Sequence, residues 1–325
     1  MHYDIFNGDA DGIIALLQLR LAEPRQSELI TGVKRDIDLL NQLSDQLQAG
    51  DTVTVLDVSM QKNQQGLTRA LERGVSIFYA DHHQSGAIPK DDNLTAHIHL
   101  DANICTGLIV DEVLKGQYHT WAIAAAYGDN LIKVADTLAT DAGLSDEQAD
   151  QLKSLGTLIN YNGYGSRVEE LHFHPKALFE ALLAFPDPFS LFEDTSSIYY
   201  QLKAAFDEDF ANALAIAPDY SSDIVSVYRL PDRPWSSRIS GVLGNHLANS
   251  APNKAHLVLT TQSAQSAQEV MVSLRAPLNN KQGAARICSQ FATGGGREAA
   301  AGINVLAVNE LTRLIQLTEE YYTLP

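Results

Sequence analysis

Cysteine is nearly absent: Cys105 and Cys288 are the only two in 325 residues. A pair so far apart builds no disulfide framework and suits a reducing compartment. No run of about 18 apolar residues occurs, which excludes an ordinary membrane-spanning helix. The strand pattern starts at the first residues and leaves no room for a charged and then apolar leader, so a cytoplasmic location is expected. Basic residues are scarce as well, with 23 Lys and Arg against 40 Asp and Glu and a net charge of −17. A protein that tracks long nucleic acid needs a basic groove, often with interleaved aromatics, and neither is apparent here.

The deficit of positive charge is uneven. Residues 1–219 hold 14 Lys and Arg against 33 Asp and Glu, whereas residues 220–325 hold 9 against 7. The acidic part is suited to cations and the mildly basic part to phosphate. The length fits two domains, and there are no internal repeats or low-complexity tracts.

Asn7-Gly8-Asp9-Ala10-Asp11-Gly12 follows Met1-His2-Tyr3-Asp4-Ile5-Phe6, which reads as a short buried strand. It precedes an apolar helical run over 13–21. Carboxylates two positions apart between glycines can enter one pocket, where they repel unless a cation is present. Taken alone, a solvated acidic turn is the plainer reading. An EF-hand fails, because Gln18 stands where the closing glutamate belongs and a strand, not a helix, precedes the motif.

The pattern then recurs. A short strand is expected over 29–33 and a polar helix over 37–47. A strand over 51–59 has Asp57 at its carboxyl end, a helix covers 64–73, and a strand over 75–80 is followed by Asp81-His82-His83. Alternating strands and helices imply a parallel sheet, whose ligands gather outside the carboxyl ends of the strands. Three successive strands ending in carboxylate or imidazole suit a hard divalent ion with some nitrogen ligation, such as Mn²⁺. His97 and His99 leave one face of a strand without a partner cluster, so no ligand role is assigned to them.

The buried small-residue segment 121–128 ends at Asp129, a fourth candidate carboxylate that reads equally as a helix cap. Helices are expected over 144–155 and 175–184, with a loop at 160–167 able to approach the site. A helix over 197–215 joins the two parts. The second part is expected to hold strands over 223–228, 255–260, 269–275 and 303–307, with helices over 238–248 and 283–291. A loop, Thr293-Gly294-Gly295-Gly296-Arg297-Glu298-Ala299-Ala300-Ala301-Gly302, offers backbone amides and Arg297 to an anion.

Together these residues resemble the DHH phosphoesterases with a C-terminal DHHA1 domain, which include RecJ-type nucleases and short-oligoribonucleases. The similarity covers nearly the whole chain. Asn7 to Gly12 is similar to motif I, Leu56-Asp57 to motif II, Asp81-His82-His83 to motif III and Gly128-Asp129 to motif IV. Val272-Ser273-Leu274-Arg275 and the segment 294–302 resemble the SxR and GGGHxxAAG elements of DHHA1.

The resemblance implies an α/β fold, with an N-terminal parallel-sheet DHH domain over 1–190, a helical connector over 191–219 and a smaller α/β DHHA1 domain over 220–325. It places the active site in the cleft between them. It implies two divalent ions, Mn²⁺ with Mg²⁺ as the alternative. Asp9 then belongs to the first ion, with Asn7 in the position of a further ligand. Asp11, His82 and Asp129 belong to the second, and Asp57 bridges both. Asp57 and His83 are the implied catalytic residues, His83 touching the scissile phosphate; Arg275, Gly294, Gly295, Gly296 and Arg297 hold the substrate. Two departures stand out: Asn7 replaces a His or Asp, and Arg297 replaces the GGGH histidine.

The expected function is hydrolysis of very short oligonucleotides or linear dinucleotides, such as pGpG, to 5′-mononucleotides by two-metal-activated hydroxide attack. The partner is a small nucleotide or short single-stranded RNA, with no long duplex DNA and no membrane. The alternatives are a 3′-phosphoadenosine 5′-phosphate-type phosphatase, a RecJ-like single-strand exonuclease and a non-catalytic nucleotide sensor.

Overall fold

The computed structural model describes residues 1–261 and 268–323. The chain divides into Met1–Ala204 and Ala205–Pro325. In the first unit, β1 (His2–Phe6), β2 (Glu28–Ile30), β3 (Thr52–Leu56), β4 (Ser76–Asp81) and β5 (Leu94–Ile98) form a parallel sheet in the order β2-β1-β3-β4-β5. Parallel sheets are covered on both faces, and all five residues of β1 are buried. Alternation sends Tyr3, Ile5, Val55 and Tyr79 to one face. There they pack with Leu40 and Leu67 from α2 (Leu39–Leu43) and α3 (Gln64–Glu72). Asp4 takes the opposite parity and meets α1 (Ala10–Ala22) through Arg20.

From β1 the chain crosses to β2 on one side and then returns past β1 to β3 on the other. The crevice outside the strand ends at such a reversal is where open α/β sheets bind ligands. The motif that follows β1 and Asp57 at the end of β3 both lie there.

Helices α4 (Thr106–Val113), α5 (His119–Gly128), α6 (Ile132–Asp141), α7 (Asp146–Asn162), α8 (Pro175–Leu182) and α9 (Ser190–Glu193) complete this unit. The division falls inside α10 (Ile198–Leu214). The α5 sequence is apolar all round, and residues 121–128 are buried. A Cβ on Gly156 of α7 would lie 2.1 Å from the Ala124 carbonyl oxygen, so only glycine lets the two backbones approach this closely. That contact fixes α5, and with it Asp129 just past its end.

The second unit is a six-stranded sheet ordered β10-β11-β9-β8-β7-β6. Its strands are β6 (Tyr220–Ser221), β7 (Val225–Arg229), β8 (Ala255–Thr261), β9 (Glu269–Arg275), β10 (Gly294–Gly296) and β11 (Ala300–Ala307). Only β7 and β8 pair in parallel, and α11 (Pro234–Ser250) connects them. Leu257, Val272, Ile287, Phe291, Ile303 and Leu314 belong to its core. The last three segments differ from expectation. The helix expected over 283–291 is the short α12 (Ala284–Cys288), and α13 (Leu311–Thr323) adds an amphipathic helix that buries Leu314 and Thr318. The expected glycine loop is a hairpin, in which Gly294–Gly296 pairs with residues 301–303 as an edge strand. No helix among the described residues is long and apolar enough to cross a membrane.

Asp4 anchors the first unit. Arg20 Nε and Nη2 donate to its two oxygens at 2.8 and 2.7 Å, and Ser27 Oγ donates at 2.6 Å. Burial pushes the Asp4 carboxyl up, but hydrogen bonds with His2, Arg20 and Ser27 and the Arg20 charge hold it well below its usual 3.8. The ionised form is therefore favoured by folding, and its contribution is full at neutral pH and fades as the pH falls below that value. Asp4→Asn leaves the Arg20 charge buried and unpaired, at an expected cost of about 3–5 kcal/mol. Urea melts at neutral pH should show this loss, and the gap to wild type should narrow below about pH 4.

Candidate metal centre

The first motif turns directly from strand to helix. Asp9 is the N-cap of α1, its Oδ1 accepting from the Asp11 and Gly12 amides at 3.0 and 3.1 Å. A Cβ on Gly12 would lie 2.3 Å from the Asn7 carbonyl oxygen, so glycine is required for this tight first turn. Asn7 braces the turn: its Oδ1 accepts from the Asp9 amide at 3.2 Å, and its Nδ2 donates to the Lys34 carbonyl at 3.0 Å.

Asp11 enters from the first turn of α1 and meets a second helix start. The Thr106 and Gly107 amides, at the N-terminus of α4, donate to its two oxygens at 2.7 Å each. Thr106 Oγ1 also donates to Asp57 Oδ1 at 3.3 Å. Asp57 has φ 57°, a left-handed conformation unusual for a non-glycine residue and a mark of a constrained site.

His82 is the centre of the arrangement. Its Nδ1 lies 3.0 Å from the Ile104 carbonyl, which makes that nitrogen the donor and leaves the Nε2 lone pair free. Nε2 lies 3.5 Å from Asp57 Oδ1, 3.7 Å from Asp11 Oδ2 and 4.0 Å from Asp129 Oδ2. These separations are too long for hydrogen bonds, while atoms sharing one small divalent ion lie about 3–4 Å apart. Three carboxylates facing one another around Nε2 repel unless a cation lies among them. A carbonyl fixing the far nitrogen is the usual support of a metal-binding histidine. The chemistry of these donors, carboxylate and imidazole, therefore suits a divalent ion.

His83 stands beside it. Its Nδ1 lies 2.7 Å from Asp81 Oδ1 and 3.7 Å from Asp57 Oδ1, and its side chain is 47% exposed. Ligand atoms of Asp57, His82 and His83 all fall within 4.8 Å of one another. Burial pulls the His83 pKa down, but the hydrogen bond and charge of Asp81 outweigh it and raise it above the ordinary value. The other Asp81 oxygen is buried without a hydrogen-bond partner among the described residues.

The electrostatics suit a cation-binding cluster. Burial, then Asp9, Asp11, Asp81 and Asp129 in turn, push the Asp57 carboxyl well above the usual carboxylate range. Asp129 is raised to about 6, first by burial and then by Asp11. Asp9 behaves oppositely: burial raises it, but Lys34 outweighs that and lowers it.

Lys34, absent from the sequence-level candidates, pairs its ammonium with Asp9 Oδ2. It also donates to Asn160 Oδ1 at 3.2 Å and lies 5.4 Å from the centre of the Tyr164 ring. The segment expected to approach the site does so through these two residues. Nothing in the spacing from Asp9 to Lys34 signals this contact.

The structure thus gathers Asp9, Asp11, Asp57, His82, His83 and Asp129, with Asn7 as a backbone brace. The remaining candidates lie in the second unit. Arg275 is held by Asn245 Oδ1 and Ser273 Oγ at 2.8 Å each, and it pairs across the sheet with Ala300. Gly294 donates its amide to the Phe291 carbonyl at 2.9 Å, so this amide of the triplet is already engaged. Arg297 is exposed at the hairpin turn.

Because the folded pKa of Asp57 is raised, its charge opposes folding at neutral pH when no cation is bound. Asp57→Asn should therefore melt at a higher temperature than wild type in EDTA, since asparagine also tolerates the left-handed backbone. Mn²⁺ should raise the melting temperature of wild type and not of this variant. The wild-type rise should be larger at about pH 7.5 than at about pH 5, because cation binding must displace protons from Asp57 and Asp129.

No protein-family model matches the chain, and no curated protein matches it. Solved structures do. RecJ from Thermus thermophilus, in complex with Mn²⁺, superposes with a TM-score of 0.58 at 14% identity, over 99% of this chain and 52% of RecJ. The pGpG-specific phosphodiesterase PggH from Vibrio cholerae superposes with a TM-score of 0.55 at 11% identity, over 99% of both chains. The chain spans about half the length of RecJ and nearly all of PggH. It has the DHH/DHHA1-type phosphoesterase fold.

Proposed function

We propose that the chain is a divalent-metal-dependent phosphodiesterase that hydrolyses very short oligonucleotides, including linear dinucleotides of the pGpG type, to 5′-mononucleotides. The observation that carries this reading is His82, fixed by the Ile104 carbonyl with Nε2 turned toward Asp11, Asp57 and Asp129. These four residues would hold the ion, Mn²⁺ with Mg²⁺ as the alternative. Bound there, the ion would supply Lewis-acid stabilisation of phosphoryl charge and a nucleophile at neutral pH.

The chain's own groups then have separable tasks. Asp11 is fixed by the α4 amides and Asp57 by the end of β3, so the carboxylates are oriented before any ligand arrives. His83, its Nδ1 engaged by Asp81, turns Nε2 toward a phosphate oxygen and donates a proton or hydrogen bond as negative charge develops. Arg275, steadied by Asn245 and Ser273, binds the substrate phosphate or base, and Arg297 adds a second cation.

The charge balance supports a short substrate. A net charge of −17 disfavours a long polyanion, whereas a substrate of one or two phosphates needs only a few local cations. PggH, similar over its whole length, is a pGpG-specific phosphodiesterase, which supports the short-substrate reading over a RecJ-like one. Both cysteines are free and buried, which supports a cytoplasmic setting.

The test is a time course with Mn²⁺ on 5′-phosphorylated RNAs from a dinucleotide to about ten nucleotides, with products resolved by length. Rapid loss of the dinucleotide with longer chains spared is expected; equal cleavage of all lengths would overturn the short-substrate reading. His83→Ala should lower kcat by about 10²–10³-fold. Arg275→Ala should raise KM at least tenfold with a smaller change in kcat, in steady-state kinetics on the dinucleotide.

A further inference from the structure

The carboxylates of the centre are not equally in need of an added cation. Asp9 spends Oδ1 on the α1 amides and pairs Oδ2 with the Lys34 ammonium. Among the described residues, no lysine or arginine forms an ion pair with Asp11, Asp57 or Asp129, which face His82 instead. The two halves of the cluster are therefore neutralised by different means.

Lys34 is also built into its position. Its amide donates to the Gly163 carbonyl at 2.9 Å, and its carbonyl accepts from Asn7 Nδ2 at 3.0 Å. Its ammonium has Asn160 as a further acceptor, and the Tyr164 ring lies nearby. The side chain is 31% exposed, so the charge sits at the mouth of the buried cluster. Asn7 completes the argument. It is a neutral amide already engaged by the Asp9 amide and the Lys34 carbonyl, so it adds no anionic or imidazole donor beside Asp9 for a divalent ion.

We propose that the Lys34 ammonium occupies the place of one of the two divalent ions that this type of centre would otherwise hold. The centre then binds a single ion, at Asp11, Asp57, His82 and Asp129, and the Lys34–Asp9 pair replaces the other. This rests on reading the cluster as a metal centre. Lys34 compensates charge at fixed geometry, with no vacant coordination position, so chelators remove only one of the two cationic elements.

Metal stoichiometry decides the matter. The full chain, stripped with chelator and dialysed against Mn²⁺, is assayed for bound metal by mass spectrometry and for metal–metal coupling by electron paramagnetic resonance. Wild type should bind one ion with an uncoupled six-line spectrum, and Lys34→Arg should do the same. Lys34→Met combined with Asn7→His should bind two, with exchange coupling. Asp9→Asn combined with Lys34→Met removes both charges together, so no buried carboxylate is left unpaired, and this variant should keep one ion. Circular dichroism confirms folding of each.

Two ions in wild type would overturn the inference and leave the proposed function standing. No ion in wild type would overturn both. A count of one in the Lys34→Met, Asn7→His variant would show that Lys34 is not what excludes the second ion. Loss of the ion from the Asp9→Asn, Lys34→Met variant would show that Asp9 is a ligand; either result overturns the inference.

Discussion

Repulsion among carboxylates crowded at the carboxyl ends of parallel strands is the constraint on which this centre depends. Asp9, Asp11, Asp57 and Asp129 are drawn together, with Asp81 behind them, and burial removes the water that would screen them. The fold answers each charge separately. Helix amides take Asp11, α1 amides and Lys34 take Asp9, and Asp57 and Asp129, which form no ion pair with a lysine or arginine among the described residues, are left with raised pKa values. The Asp57 backbone, in the left-handed region, adds strain to the same point. Such local cost is tolerated where a ligand offsets it.

That crowding is imposed by topology. The strand order reverses between β1 and β3; Asp9 and Asp11 follow β1, Asp57 follows β3 and Asp81 ends β4. Close contact between α5 and α7 at Gly156 brings Asp129 from a different layer of the fold. Behind the acidic and imidazole groups stands another set: the Ile104 carbonyl behind His82, Asp81 behind His83 and the α4 amides behind Asp11. They fix tautomers and orientations, so the site is organised by backbone more than by its own charges.

The second unit solves a different problem with the opposite charge balance. Its sheet register places Arg275 across from Ala300, beside the hairpin that carries Arg297. Glu298 in that turn accepts the Gly283 amide at 2.7 Å, tying the turn to the start of α12.

The local patterns that the sequence carries were enough for the parallel sheet, the order of the acidic motifs at strand ends and the convergence of Asp9, Asp11, Asp57, Asp81, His82 and His83, whereas Asp129 by its local pattern read equally as a helix cap. Strand alternation, turn glycines and acidic caps act within a few residues, so they can be read without neighbours. The glycine triplet misled, because glycines that suit an open loop also suit an edge strand pressed against the Cys288 carbonyl. Lys34 lay beyond reach altogether. It stands 25 residues from Asp9, and only the pairing of β2 beside β1 carries its segment to the motif. The sequence by itself determined which acidic and imidazole groups end the strands. Tertiary structure alone decided which of them a lysine already neutralises, because charge pairing across a sheet depends on strand order and not on spacing along the chain.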